Sequence, residues 1–186
     1  VNRRAFLGAA GAAALFGVGL PAAARATIPL HRTRWSGIGQ THLWVRQVGD
    51  REEAHVRFRS DDGLLIHEGV QALSWTWRDW RDADAAVWVD YRLFDILAWI
   101  QTALALEDDA PRCLVLNSGY RTVDRNARIE GAARNSQHIH GRAGDLNFEH
   151  VGRRRLAALA NAAGAAGVGS YSSFVHIDVG PEGRRW

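Results

Sequence analysis

Two hydrophobic periods alternate along this chain without settling into a strand-helix-strand repeat, and that order limits the fold more than any other feature. The strand-like runs 43–48 and 55–59 flank the turn-rich Gly49-Asp50-Arg51-Glu52, which predicts a hairpin, and Asp61-Asp62-Gly63 then breaks the chain. From Glu68 to Arg81 the residues Val70, Leu73, Trp77 and Trp80 fall on one helical face. Tyr91 to Leu106 repeats that spacing with Phe94, Leu97, Ala98, Gln101 and Leu104, and Pro111 stops it. Beyond Pro111 the pattern predicts a buried strand at 113–116, a turn at 117–121, a polar stretch to Arg134, a helix over 152–163, a flexible 164–169 and an alternating strand at 174–179. The expected class is α+β, a small antiparallel sheet flanked by helices.

The length of 186 residues suits one domain, but the sequence pI of about 9.7 raises the question of an acidic partner. Three of the 23 Lys and Arg residues, Arg3, Arg4 and Arg25, lie in residues 1–26, which hold no acid; the remaining 20 balance the 20 Asp and Glu. The basic surplus belongs to that leader, and a nucleic-acid role is set aside. Arg3-Arg4 before Phe6-Leu7, a short apolar run to Leu20 and Ala24-Arg25-Ala26 read as a twin-arginine-type export signal over 1–26. Cleavage after Ala26 would leave a single domain, 27–186, with no stable membrane insertion and a periplasmic address. Residues 27–39 are expected to form an irregular arm. With Cys113 as the sole cysteine, no internal disulfide is available, so stability rests on the core and on any bound metal. Cys113 reads as a small core residue, and most of the eight tryptophans as packing residues rather than sugar platforms.

The polar chemistry is concentrated in Ser136-Gln137-His138-Ile139-His140-Gly141-Arg142-Ala143-Gly144-Asp145. Gly141 lets the chain turn, so that His138 and Asp145 face one point from its two sides. His176, on the C-terminal strand, offers a third donor. Two imidazoles and a carboxylate suit Zn²⁺, one per chain, and leave a fourth tetrahedral position for a water whose pKa the metal lowers to about 7. His31, His42, His55, His67 and His150 lack such context and read as ordinary polar or partly buried residues.

Ser136-x-His138-x-x-Gly141-x-Ala143-x-Asp145 resembles the signature of the zinc D-Ala-D-Ala metallopeptidases, a group that includes lysostaphin-type endopeptidases and the hedgehog signalling domain. Asn117-Ser118-Gly119-Tyr120-Arg121 is similar to that family's Ser-Gly-Tyr-Arg element. Gly167-Val168-Gly169-Ser170-Tyr171 and Phe174-Val175-His176-Ile177-Asp178-Val179-Gly180 resemble its last ligand strand. With Tyr91–Asp95 and Arg185-Trp186, the likeness extends over roughly 40–186 and points to the MepK-type murein endopeptidase branch.

The resemblance implies a hedgehog-like zinc site and an enzyme that hydrolyses peptide cross-links in peptidoglycan, with stem peptides containing meso-diaminopimelate as substrate; the chain shows no heptad seam, and a monomer is the default expectation. It implies His138, Asp145 and His176 as metal ligands. Arg121 would bind the oxyanion or a substrate carboxylate, and Tyr120 and Ser136 the substrate; Ser136 is equally placed to cap the local turn. One position departs from the dipeptidase pattern: Ser173 stands where Glu serves as general base, three residues before His176. Asp178 and His140 are the candidates for that role, although Asp178 is better placed to orient a ligand imidazole. That departure keeps open a zinc-stabilised peptidoglycan-binding module with little or no catalysis, and the sequence separately leaves open a D-Ala-D-Ala-type carboxypeptidase.

Overall fold

The computed structural model describes residues 41–49, 53–108, 111–181 and 184–186; the leader expected over 1–26 and the arm expected over 27–39 lie outside them. Seven strands form one sheet in the order β2-β1-β3-β4-β6-β5-β7. These are β1 (His42–Gln47), β2 (Glu53–Arg57), β3 (Leu114–Ser118), β4 (Ala143–Phe148), β5 (Gly167–Ser170), β6 (Val175–Asp178) and the short β7 (Arg184–Arg185). Among the described residues four helices accompany them, α1 (His67–Thr76), α2 (Tyr91–Asp108), α3 (Val123–Ala127) and α4 (Arg153–Ala162), with a 3-10 turn at Gln137–His140. The class is α+β as expected. The sheet is mostly antiparallel, and the β1–β3 and β5–β7 pairings are parallel.

The expected hairpin is β1–β2, whose register runs from His42 opposite Arg57 to Arg46 opposite Glu53. Strand register sorts the side chains into two faces, because residues paired across strands point the same way. Leu43, Val45, Val56, Leu114, Leu116, Leu146, Phe148, Val168, Val175 and Ile177 share one face and are buried in the core. Helix α1 packs on β2, α2 on β1 and α4 on β4, β5 and β6, closing that face. Within α2 the apolar stripe read from sequence, Phe94, Leu97, Ala98, Gln101 and Leu104, is entirely buried. Phe94 packs edge-on against Trp77 at 5.2 Å and Phe58 at 6.1 Å. Phe94→Ala leaves a cavity no neighbour can fill without moving these rings, and should cost about 3–5 kcal/mol in chemical denaturation.

Several sequence expectations shift. Helix α1 ends at Thr76 rather than Arg81, because the backbone past Trp77 turns back: the Asp79 N–H donates to the Ala85 carbonyl at 2.7 Å. Asn117 and Ser118 belong to β3, not to a turn. The glycine-rich 164–169 is not flexible throughout, since Gly167–Ser170 is a paired strand. Strand 174–179 is shorter, and all four residues of β6 are buried, because it lies between β4 and β5 with polar side chains packed on its second face. Cys113 is buried just before β3, and burial pushes its thiol up to about 12, which keeps it an unreactive core residue. No helix among the described residues is long and apolar enough to cross a membrane.

Candidate metal centre

The second face of the sheet carries the polar cluster. Asp145 on β4 lies directly opposite His176 on β6, so both side chains project from that face. A register irregularity between Leu116 and Ser118 places Ser118 opposite Asp145 and brings the chain toward Arg121 onto the same side. His138 arrives from the 3-10 turn. Ser136 starts that turn, its Oγ accepting from the His138 N–H at 3.4 Å, and Gly141 ends it at φ 64°, a conformation that favours glycine. Thus the turn read from the two sides of Gly141 does set His138 against Asp145.

His138 Nε2, Asp145 Oδ1 and His176 Nδ1 form a triangle with sides of 3.1, 3.2 and 2.9 Å. Their partners fix what these atoms offer. His138 Nδ1 lies 2.6 Å from the Gly119 carbonyl, which only accepts, so Nδ1 carries the hydrogen and Nε2 presents a lone pair. His176 Nε2 lies 3.1 Å from Asp178 Oδ2, so in the neutral ring the lone pair is on Nδ1; burial would lower this imidazole's pKa, but Asp145 and Asp178 raise it, so a metal at Nδ1 takes the place of a proton. Burial lowers the His138 pKa, which keeps that ring neutral. Burial alone would raise the Asp145 carboxyl, but His138 and His176, where they carry a proton toward it, and the Arg121 guanidinium hold it well below the usual carboxylate range. With both rings neutral three acceptors converge, buried to 2, 4 and 7% exposure, and a cation between them satisfies all three.

The spacing suits zinc. Ligands at about 2.0–2.1 Å in a tetrahedron stand roughly 3.3 Å apart, close to the sides of this triangle. These three residues form a His/Asp group able to hold a metal ion.

Around the triangle, the Arg121 guanidinium contacts Asp145 Oδ2 through Nη2 and Ser118 Oγ through Nε at 2.9 Å. Burial pulls the Arg121 pKa down, against the opposing pull of Asp145. Asp178, fully buried, also accepts the Gly180 N–H at 2.8 Å. A cleft of about 400 Å³ opens over the cluster and includes Arg121, Ser136, Asp178, Tyr171, Phe174 and Trp186 in its lining. Two sequence candidates are not brought to it. His140 is exposed, with Nε2 2.6 Å from Asn135 Oδ1, because the turn that points His138 inward points the residue two places later outward. Tyr120 lies outside the cleft lining, with a hydroxyl pKa raised by burial and by Asp79 and Asp82.

The geometry also shows features the sequence pattern gave no means of assigning. The Gly119 carbonyl sets the His138 tautomer, and no motif identifies a carbonyl. Gly167 lies opposite Asp178, and a Cβ there would sit 2.0 Å from the Asp178 carboxylate. What reads as flexible glycine is the space that carboxylate occupies.

The peptidase M15 family model described as peptidoglycan L,D-endopeptidase MepK matches residues 37–186. The chain belongs to this family. Peptidoglycan L,D-endopeptidase MepK of Escherichia coli K12 is 35% identical over 191 residues, spanning 100% of this chain and 97% of that protein, and MepK of Shigella flexneri matches to the same extent. The probable MepK of Haemophilus influenzae is 35% identical over 104 residues, 53% of this chain and 54% of that protein. This MepK family is one of zinc peptidases, and membership makes the chain a metallopeptidase hydrolase.

Proposed function

We propose that this chain is an exported, periplasmic zinc enzyme that hydrolyses L,D-peptide cross-links between peptidoglycan stem peptides, acting as a monomer with one Zn²⁺ held by His138, Asp145 and His176. The convergence of two imidazole nitrogens and a carboxylate oxygen at 2.9–3.2 Å carries the reading, since a cation between them satisfies all three. When bound, zinc supplies a Lewis acid that polarises the scissile carbonyl and lowers the pKa of a water to about 7.

The remaining work falls to side chains. Arg121 keeps Asp145 anionic and, as part of the cleft lining, presents its other N–H groups to the oxygen on which negative charge develops. Ser136 has one hydrogen bond in the local turn and a place in the lining, where it meets substrate. Asp178 fixes the His176 tautomer and ring plane; with one oxygen on His176 and the other on the Gly180 N–H, its role is orientation rather than proton abstraction. Asp178→Asn should weaken zinc binding about 10–100-fold by competition with a chelating dye. Gly167→Ala should do the same, because its methyl displaces the same carboxylate.

The test is mass spectrometry of purified muropeptides carrying L,D or D,D cross-links, incubated with the zinc-loaded chain and with chelator. Cleavage of the L,D linkage alone, lost with chelator, is the expected result. Release of a single terminal residue would instead identify a carboxypeptidase. Binding with no product would favour the metal-held binding module, to which Ser173 lends support: it is exposed and outside the cleft lining, its carbonyl accepting from Asn147 at 2.8 Å.

A further inference from the structure

Beside the hairpin that carries His176 stand two large aromatic side chains that the cluster does not use. Tyr171 stands at the turn between β5 and β6, its N–H donating to the Phe174 carbonyl at 3.0 Å, and its ring packs on Phe174 at 4.8 Å. Trp186 follows β7, tied by its N–H to the Val168 carbonyl at 3.2 Å and by its own carbonyl to the Ser170 N–H at 2.9 Å. Its indole Nε1–H donates to the Tyr171 hydroxyl at 2.7 Å, and the ring lies 5.3 Å from the His176 ring at 38°. Both line the cleft, yet Trp186 is 52% exposed and Tyr171 44%. A tryptophan serving the core alone would be covered, as Trp77 is.

Strand register explains how the indole reaches this place. Gly169 is the residue opposite His176, so any side chain there would stand beside the imidazole on the cluster face. A Cβ at Gly169 would lie 2.4 Å from the Trp186 Nε1 and 2.5 Å from its Cε2. The space a neighbouring side chain would fill is given to an indole from beyond β7, which is held by a hydrogen bond and left open to the cleft.

We propose that Trp186 and Tyr171 form the substrate wall of this site, a preformed aromatic surface on which the cross-linking residue of the substrate lies beside the scissile amide. The inference rests on the peptidoglycan reading above. The cross-linking residue of a diamino-acid peptide is a slender chain of methylenes ending in charged groups. Methylenes cover ring faces, and a free ammonium is attracted to the face of an indole. The small residues Gly131, Ala132 and Ala133 in the same lining leave width for such an arm and no bulk to replace it. Because the indole is already fixed by Tyr171, little ordering is needed when the arm arrives.

The experiment compares wild type with Trp186→Ala, Trp186→Phe and Gly169→Ala for hydrolysis and calorimetric binding of one purified L,D-cross-linked muropeptide, with zinc content measured in each. Trp186→Ala should raise KM and weaken binding about tenfold or more while kcat changes little and zinc stays stoichiometric. Gly169→Ala should reproduce this by expelling the indole, and Trp186→Phe should recover part of it. An unchanged KM, or loss of zinc together with activity, overturns the proposal, since the indole would then only prop His176. If Trp186→Ala does not fold, Tyr171→Ala, at an exposed turn, is held to the same KM and binding outcome. Should wild type bind the muropeptide without cleaving it, the peptidase reading fails, and weakened binding in Trp186→Ala still supports the wall. Absence of both binding and cleavage in wild type overturns both.

Discussion

Replacing His138 by alanine is expected to abolish stoichiometric zinc and lower the rate of L,D-muropeptide hydrolysis by about 10³-fold or more, because the donor set acts as a unit and the Lewis acid it holds is worth several kcal/mol. The substitution removes one of three convergent lone pairs and leaves the Gly119 carbonyl without its imidazole partner. Two donors remain, Asp145 and His176, which bind zinc far more weakly than three. Zinc content by plasma mass spectrometry, read beside circular dichroism, separates metal loss from unfolding. A His138→Ala chain that keeps stoichiometric zinc and full turnover would remove the triangle from the mechanism altogether.

The second large effect belongs to Arg121. Arg121→Ala should reduce kcat by about 10²–10³, the usual cost of deleting one donor to a developing oxyanion. Arg121 also touches Asp145, so a loss of rate alone does not assign the role. If the guanidinium serves the oxyanion, saturating zinc leaves the defect in place. If it serves only to hold Asp145 anionic, added zinc restores the rate. Arg121→Lys keeps the positive charge but not the planar fork that reaches Ser118 and Asp145 together, and is expected to recover only a small part of kcat. Rescue of Arg121→Ala by excess zinc would overturn the oxyanion role.

The metal triangle was legible because its residues sit in short, ordered motifs whose local geometry is set locally. Ser136 opens the turn, Gly141 closes it in the left-handed region, and two residues on adjacent positions of paired strands supply the other donors. The long helix α2 was legible for a similar reason, since a stripe of apolar residues at helical spacing has only one way to bury itself. The glycines of β5 were not. In sequence, a glycine is an absent side chain, and flexibility is its default meaning. In the sheet, Gly167 and Gly169 are the room taken by the Asp178 carboxylate and the Trp186 indole, which arrive from β6 and from beyond β7. His140 shows the opposite failure: an imidazole two residues from His138 looks available, but one step around a tight turn sends it to solvent and Asn135.

By itself, then, the sequence determined the α+β class, the hairpin, the principal helices and the three residues that converge as the triangle, because periodicity, turn chemistry and motif spacing act over a few residues. Only the tertiary structure decided the tautomers of both imidazoles, the pairing of Arg121 with Asp145, the removal of His140 and Tyr120 from the cleft and the aromatic wall beside His176. Each of these depends on contacts between strands or turns far apart in the chain. Register and burial, not composition, set which atoms meet there.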